Sequence, residues 1–187
     1  MNEQAIEVFK SGGIVIFPTD TAFGIGCRLD RKQSIEKVFE IRRRPEEKAV
    51  LALVGSLEMA EEYVEIPTDV KEKLINKYWP GGLTIILPCN TEKVPAVARA
   101  NGQTLAVRFP NHPELASVIN KVGVPIIAPS ANYSGEPTPL SLSEVDQTLL
   151  GKVDFIMSGV CTLKGVSTIV DCSVVPWKVV RQGVVQI

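Results

Sequence analysis

Short apolar runs alternate with amphipathic segments along the first half of this chain. Residues 14–17, 49–54 and 83–87 are almost continuously apolar and read as strands buried on both faces. Between them, Ile35, Val38, Phe39 and Ile41 recur at helical spacing and predict a helix over 31–44. A short helix carrying Ala5, Ile6 and Phe9 precedes the first run and stops at Ser11-Gly12-Gly13. Helices are also expected over 56–63 with Ser56 as N-cap, over 69–78, and over 113–121, where Pro113 suits a first turn. Ser141-Leu142-Ser143-Glu144 has capping-box spacing and predicts a helix reaching Leu150. In residues 104–109, Leu105, Val107 and Phe109 alternate with Ala106 and Arg108, as in a strand. Strands over 124–128, 153–157, 168–170 and 177–181 complete the pattern. Helices and strands alternate early and strands dominate late, which favours an α/β fold with a mixed sheet. No composition shift, repeat or low-complexity tract divides the chain, so a single domain over 1–187 is expected.

Charge narrows the picture. Lys and Arg number 20 against 21 Asp and Glu, a net charge of -1, so no global bias points to nucleic acid and any anion site must be a local concentration of charge. Cys27, Cys89, Cys161 and Cys172 form no C-x-x-C, and with His112 as the only histidine a zinc site is disfavoured. Free thiols in a reducing compartment are the simplest reading. The N-terminus lacks a basic segment followed by an apolar one, and no run approaches the ~20 apolar residues of a membrane span. A cytoplasmic protein without a membrane partner is expected.

Candidate chemistry concentrates at strand ends. Residues 126–139, I-I-A-P-S-A-N-Y-S-G-E-P-T-P, pass from an apolar strand directly into hydroxyls and an amide, at Ser130, Asn132, Ser134 and Thr138. The carboxyl ends of strands in open α/β sheets are where ligands bind; the same residues also form ordinary turns. Arg42, Arg43 and Arg44 close the predicted 31–44 helix, where its dipole favours cations. Arg42 and Arg44 can converge only if the backbone leaves the helix at Arg43, as Pro45 encourages. Arg108 stands in an apolar strand, where a guanidinium needs water, an ion-pair partner or an anion in a cleft. Thr19, Thr21, Ser167, Thr168 and Arg181 add short hydroxyls and another arginine beside strands. A Walker loop and a G-x-S-x-G elbow are absent, Gly24-Ile25-Gly26 lacks the third glycine of a dinucleotide fingerprint, and His112 reads as structural.

Seven stretches in order carry a likeness: F-P-T-D-T-A-F-G-I-G (Phe17–Gly26), R-R-R-P (Arg42–Pro45), W-P-G-G-L-T (Trp79–Thr84), T-L-A-V-R-F-P (Thr104–Pro110), A-P-S-A-N-Y-S-G-E-P (Ala128–Pro137), G-V-S-T-I-V-D (Gly165–Asp171) and V-R-Q-G (Val180–Gly183). The chain resembles, over essentially its whole length, the YrdC family of threonylcarbamoyl-AMP synthases in its short form. The resemblance implies a twisted mixed α/β sheet, flanked by helices, curled around a large concave cleft. It implies formation of threonylcarbamoyl-adenylate and pyrophosphate from L-threonine, bicarbonate or CO2, and ATP. The product would feed threonylcarbamoyladenosine modification beside the tRNA anticodon, completed by a separate transferase complex, with tRNA an indirect partner. By the family pattern, Thr21, Arg108 and Ser167 face threonine. Arg44, Lys48, Thr104, Ala128, Ser130, Thr138 and Arg181 face the nucleotide, and the catalytic K-x-R and S-x-N pairs fall on Arg42/Arg44 and Ser130/Asn132. Mg2+ would travel on the triphosphate, with no dedicated protein site. Arg42 replaces the family's lysine, Val166 a frequent glutamate, and Lys48 and Leu53 the asparagine and histidine of longer members. Two other readings share the fold: a non-catalytic RNA-binding paralogue, and a related carbamoyl-adenylate-forming enzyme.

Overall fold

The computed structural model describes residues 2–43 and 49–187. Strand β1 (Val15–Pro18) pairs antiparallel with β2 (Phe23–Gly26) and parallel with β7 (Phe155–Ile156), forming a three-stranded sheet. A six-stranded mixed sheet runs in the order β6 (Ile126–Ile127), β3 (Leu51–Leu53), β5 (Thr104–Arg108), β4 (Leu83–Pro88), β8 (Thr168–Asp171) and β9 (Lys178–Arg181). Backbone hydrogen bonds stitch the two sheets along β2 and β6: Ile127 N–H to the Cys27 carbonyl, Ile25 N–H to Pro129, and Ala131 N–H to Phe23. The result is a curled wall of mixed strands, the expected α/β class.

Helices cover the outer faces. The helix α1 (Asn2–Lys10) and the Pro113–Val122 helix share an apolar cluster in which Phe9, Phe17, Leu115 and Ile119 are buried. The helix α2 (Lys32–Arg42) and the helical stretch at 68–78 pack with the strands into a second, larger cluster around Phe39, Leu74 and Ile85. Alternation in β4 and β5 decides what faces inward. Leu83, Ile85, Leu87, Leu105 and Val107 join this cluster, while Thr84, Ile86, Ala106 and Arg108 line the concave side.

Three segments depart from the sequence pattern. The expected 141–150 helix is two pieces, a 3-10 turn at Leu142–Glu144 and a short helix at Gln147–Leu150. Glu144 reaches back to the Leu140 N–H and the Ser141 hydroxyl, but Val145 is extended and buried, and Asp146 starts a new cap by accepting from the Thr148 N–H at 2.7 Å. Two N-cap positions five residues apart divide the segment. The expected 124–128 strand pairs with β3 only at Ile126 and Ile127, bounded by Pro125 and Pro129, which lack the N–H a ladder needs. Phe23–Gly26, not expected as a strand, is one, and it approaches β6 closely: a Cβ on Gly26 would lie 1.7 Å from the Ile127 carbonyl oxygen.

That approach is the joint between the sheets. Gly26→Ala should separate β2 from β6 at a cost of about 3 kcal/mol, lowering the melting temperature by roughly 6–10 °C in a protein of this size. Thermal denaturation followed by circular dichroism checks this, and a shift below 1 °C would contradict it.

Candidate active-site cleft

The curled wall encloses a cleft of about 290 Å³, close to the lower bound of roughly 300 Å³ typical of small-molecule sites. Sheet register explains its lining. Leu53 pairs with Arg108, Thr84 with Ile169, and Ile169 with Arg181; continuing the Ile85–Val107 register by one residue sets Thr84 beside Arg108. One cross-strand row therefore carries Leu53, Arg108, Thr84, Ile169 and Arg181, all of which line the cleft. Arg108 and Arg181 stand three strand spacings apart along it, roughly 14 Å.

Arg108 is 2% exposed, and its guanidinium is held on three sides. Nη2 donates to Asp20 Oδ1 in a buried ion pair, Nη1 donates to Thr21 Oγ1 at 2.7 Å, and Nε donates to the Gly81 carbonyl at 2.9 Å. Burial draws its pKa below the ordinary arginine value, while the Asp20 carboxylate opposes that shift. The Pro18-Thr19-Asp20-Thr21 turn is shaped by Thr19, whose hydroxyl accepts from the Thr21 and Ala22 N–H groups and donates to the Ala22 carbonyl. Asp20 and Thr21 are thereby presented to Arg108 together.

A second cluster lies at the β8–β9 end. Arg181 Nε donates to the Ser167 carbonyl and Nη2 to Ser167 Oγ, both at 3.0 Å, and Thr84 Oγ1 donates to the same Oγ at 2.8 Å. Partial burial draws Arg181 below its ordinary pKa as well. Gly183 is required where it stands, since a Cβ there would lie 2.2 Å from the Val166 carbonyl oxygen. Thr168 faces away from the cleft, where its hydroxyl accepts from the Gly183 N–H at 2.9 Å and anchors the terminal segment.

The third wall is the 126–139 stretch. Ala128, Ser130 and Thr138 line the cleft with Arg42. The helix α2 ends as the sequence required for convergence, with Arg43 in the left-handed region at φ 52°. Arg42 turns inward, where Nε donates to the Asn132 carbonyl at 3.1 Å, and Nη2 to Asn132 Oδ1 at 3.2 Å and to Ser130 Oγ at 3.4 Å. The Arg42 carbonyl accepts the Ser134 N–H, and Arg43 lies over the Tyr133 ring at 4.5 Å. Loop and helix end form one unit.

Of the residues the sequence singled out, Thr21, Arg42, Arg108, Ala128, Ser130, Thr138, Ser167 and Arg181 meet on this cleft. Asn132 does not line it: its Oδ1 accepts from Arg42 and its Nδ2 donates to the Glu136 carbonyl at 2.6 Å, so it builds the loop. Thr104 does not line it either, since it begins β5 four residues from Arg108, roughly 13 Å along the strand. Arg44 and Lys48 lie outside the described residues. His112 caps a helix through Nδ1, which accepts from the Leu115 N–H. All four cysteines are free. Sequence reasoning passed over Asp20 and Thr84 as site residues. Both sit inside the quoted motifs, but only the tertiary fold shows their partners.

Among the described lining residues there are three arginines and no carboxylate. This composition suits a ligand with more than one negative group. No described helix is long and apolar enough to cross a membrane. The sequence matches the family described as telomere recombination (Sua5_yciO_yrdC) over residues 7–183. It is 32% identical over 91% of its length to a threonylcarbamoyl-AMP synthase of Bacillus subtilis, and 36% identical over 93% to one of Pyrococcus abyssi. The chain spans about half of each, 49% and 51%. It superposes with a TM-score of 0.91 and 32% identity on the P. abyssi Sua5 structure solved with L-threonine, covering 97% of this chain and 54% of that one. By sequence and by fold, this chain belongs to the Sua5/YciO/YrdC family.

Proposed function

We propose that this chain forms threonylcarbamoyl-adenylate from L-threonine, bicarbonate or CO2, and ATP, releasing pyrophosphate. The observation that carries this is the wall of Arg42, Arg108 and Arg181 with no carboxylate among the described lining residues, in a family whose relatives bear the synthase name. Arg108, Thr21 and Ser167 form the pocket for the amino-acid carboxylate. Arg181, Ser130 and Thr138, with the backbone at Ala128 and with Arg44 and Lys48, take the nucleotide. Asn132 acts through the loop it shapes.

The chemistry asks little covalent work of the protein. Threonine's amine and bicarbonate give a carbamate and water. A carbamate oxygen then attacks the α-phosphorus, the α–β phosphoanhydride bond breaks, and pyrophosphate departs with the bond's electron pair. Alignment and charge neutralisation dominate such a transfer. Guanidinium forks match carboxylate and phosphate geometry and hold both anions in one cleft. Mg2+ is assigned to the triphosphate, where it would offset phosphate charge. A separate transferase acting on tRNA would consume the adenylate.

Purified protein with ATP, Mg2+, bicarbonate and L-threonine should release pyrophosphate only when threonine is present, as read by a coupled phosphate assay. Absence of that dependence in folded protein would refute the proposal, and a protein that only bound RNA would behave that way. Arg108→Lys keeps the charge but loses the fork, and should lower kcat/KM for threonine roughly 10–100-fold. At the opposite wall, Arg42→Ala should raise the KM for ATP at least about tenfold by freeing the Ser130 loop, whereas Arg42→Lys should stay within about threefold. Initial rates across ATP concentrations check this, and equal effects of the two variants would show that the charge at position 42 is immaterial.

A further inference from the structure

Thr84 is a polar residue in the Leu-Thr-Ile-Ile-Leu run of a central strand, and it is fully buried. Valine has nearly the same shape and suits a buried strand at least as well. A hydroxyl there costs free energy unless it is bonded. Its partner is Ser167 Oγ at 2.8 Å, and Ser167 is also the acceptor of Arg181 Nη2 at 3.0 Å.

A serine hydroxyl has two acceptor lone pairs and one proton. Thr84 and Arg181 occupy both lone pairs of Ser167, which leaves its proton as the one hydrogen-bonding capacity uncommitted in these contacts. Ser167 is 3% exposed and lines the cleft, so a ligand there meets a donor. Accepting two bonds also strengthens the bond that a hydroxyl donates. In the turn after β1, Thr21 Oγ1 accepts from Arg108 Nη1 and lies 3.0 Å from Thr19 Oγ1.

We infer that Thr84 is a positioning residue: by donating to Ser167 it fixes that hydroxyl as a donor toward an acceptor-rich anionic group, which is the substrate carboxylate. This rests on the threonine-binding reading above. Thr84 touches no reacting atom in this scheme; it acts through Ser167.

The experiment compares Thr84→Val with the wild-type protein in threonine-dependent pyrophosphate release and in calorimetric binding of L-threonine. Thr84→Val should raise the KM and Kd for threonine roughly 3–10-fold, with the KM for ATP moving less than about twofold. In a Ser167→Ala background the same substitution should change threonine affinity by less than about 1.5-fold, because its route of action is gone. Thr84→Ser keeps the donor and should restore the wild-type KM. Thr84→Ala replaces Thr84→Val if the latter melts early. Unchanged threonine KM, equal shifts for threonine and ATP, or an undiminished effect in the Ser167→Ala background would each overturn the inference. Wild-type protein that neither binds threonine nor releases pyrophosphate with it would instead overturn the functional reading, and this inference with it.

Discussion

The buried ion pair between Arg108 and Asp20 ties the cleft to both sheets, beyond the backbone bonds that join β2 to β6. Arg108 ends β5 in the large sheet, and Asp20 lies in the turn after β1 in the small one. The third bond of the guanidinium, to the Gly81 carbonyl, ties in the turn before β4. Burying two charges is expensive, and a pair of this kind often contributes little net stability. Removing one member is different, because it strands the other charge in a buried site, at a cost of about 3–5 kcal/mol. The pair therefore fixes geometry more than it adds stability.

Donor accounting shows why this fixed geometry still has binding capacity. A guanidinium has five N–H donors, and three are engaged by Asp20, Thr21 and Gly81. The other two are not engaged among the described residues. Burial lowers the Arg108 pKa, and the Asp20 carboxylate opposes that shift. Asp20 is not itself among the cleft-lining residues; it acts on the site through Arg108.

Much of this was legible in the sequence. The alternation in residues 104–109 placed Arg108 opposite the apolar face of β5, and the burial cost of a guanidinium marked it as needing a partner. What could not be read was which strands lie side by side. The row Leu53–Arg108–Thr84–Ile169–Arg181 depends on register across four ladders, and register is set by tertiary packing. Thr84 was invisible for that reason: within its own strand it resembles any β-branched residue. Thr104 and Asn132 are not among the cleft-lining residues. Both belong to motifs that line the cleft elsewhere along their length, but one sits at the far end of its strand and the other spends its amide on the loop. The 141–150 segment failed locally, because Ser141 and Asp146 are both good caps and pattern alone does not say that both are used.

The arginine at position 42 shows how a departure from family pattern can be read physically. Its fork spans the Asn132 carbonyl and Oδ1 from Nε and Nη2 together, with Ser130 Oγ within reach of the same Nη2. A lysine, with one nitrogen at the end of a flexible stem, could satisfy these acceptors only by giving up the planar two-point grip. The next residue adds to the clamp. Arg43 takes a left-handed backbone that costs an L-residue about 1–2 kcal/mol, and its guanidinium lies over Tyr133, one residue beyond Asn132. Helix α2 thus ends in two consecutive arginines that grip two consecutive residues of the Ser130–Ser134 loop, one through hydrogen bonds and one through a ring.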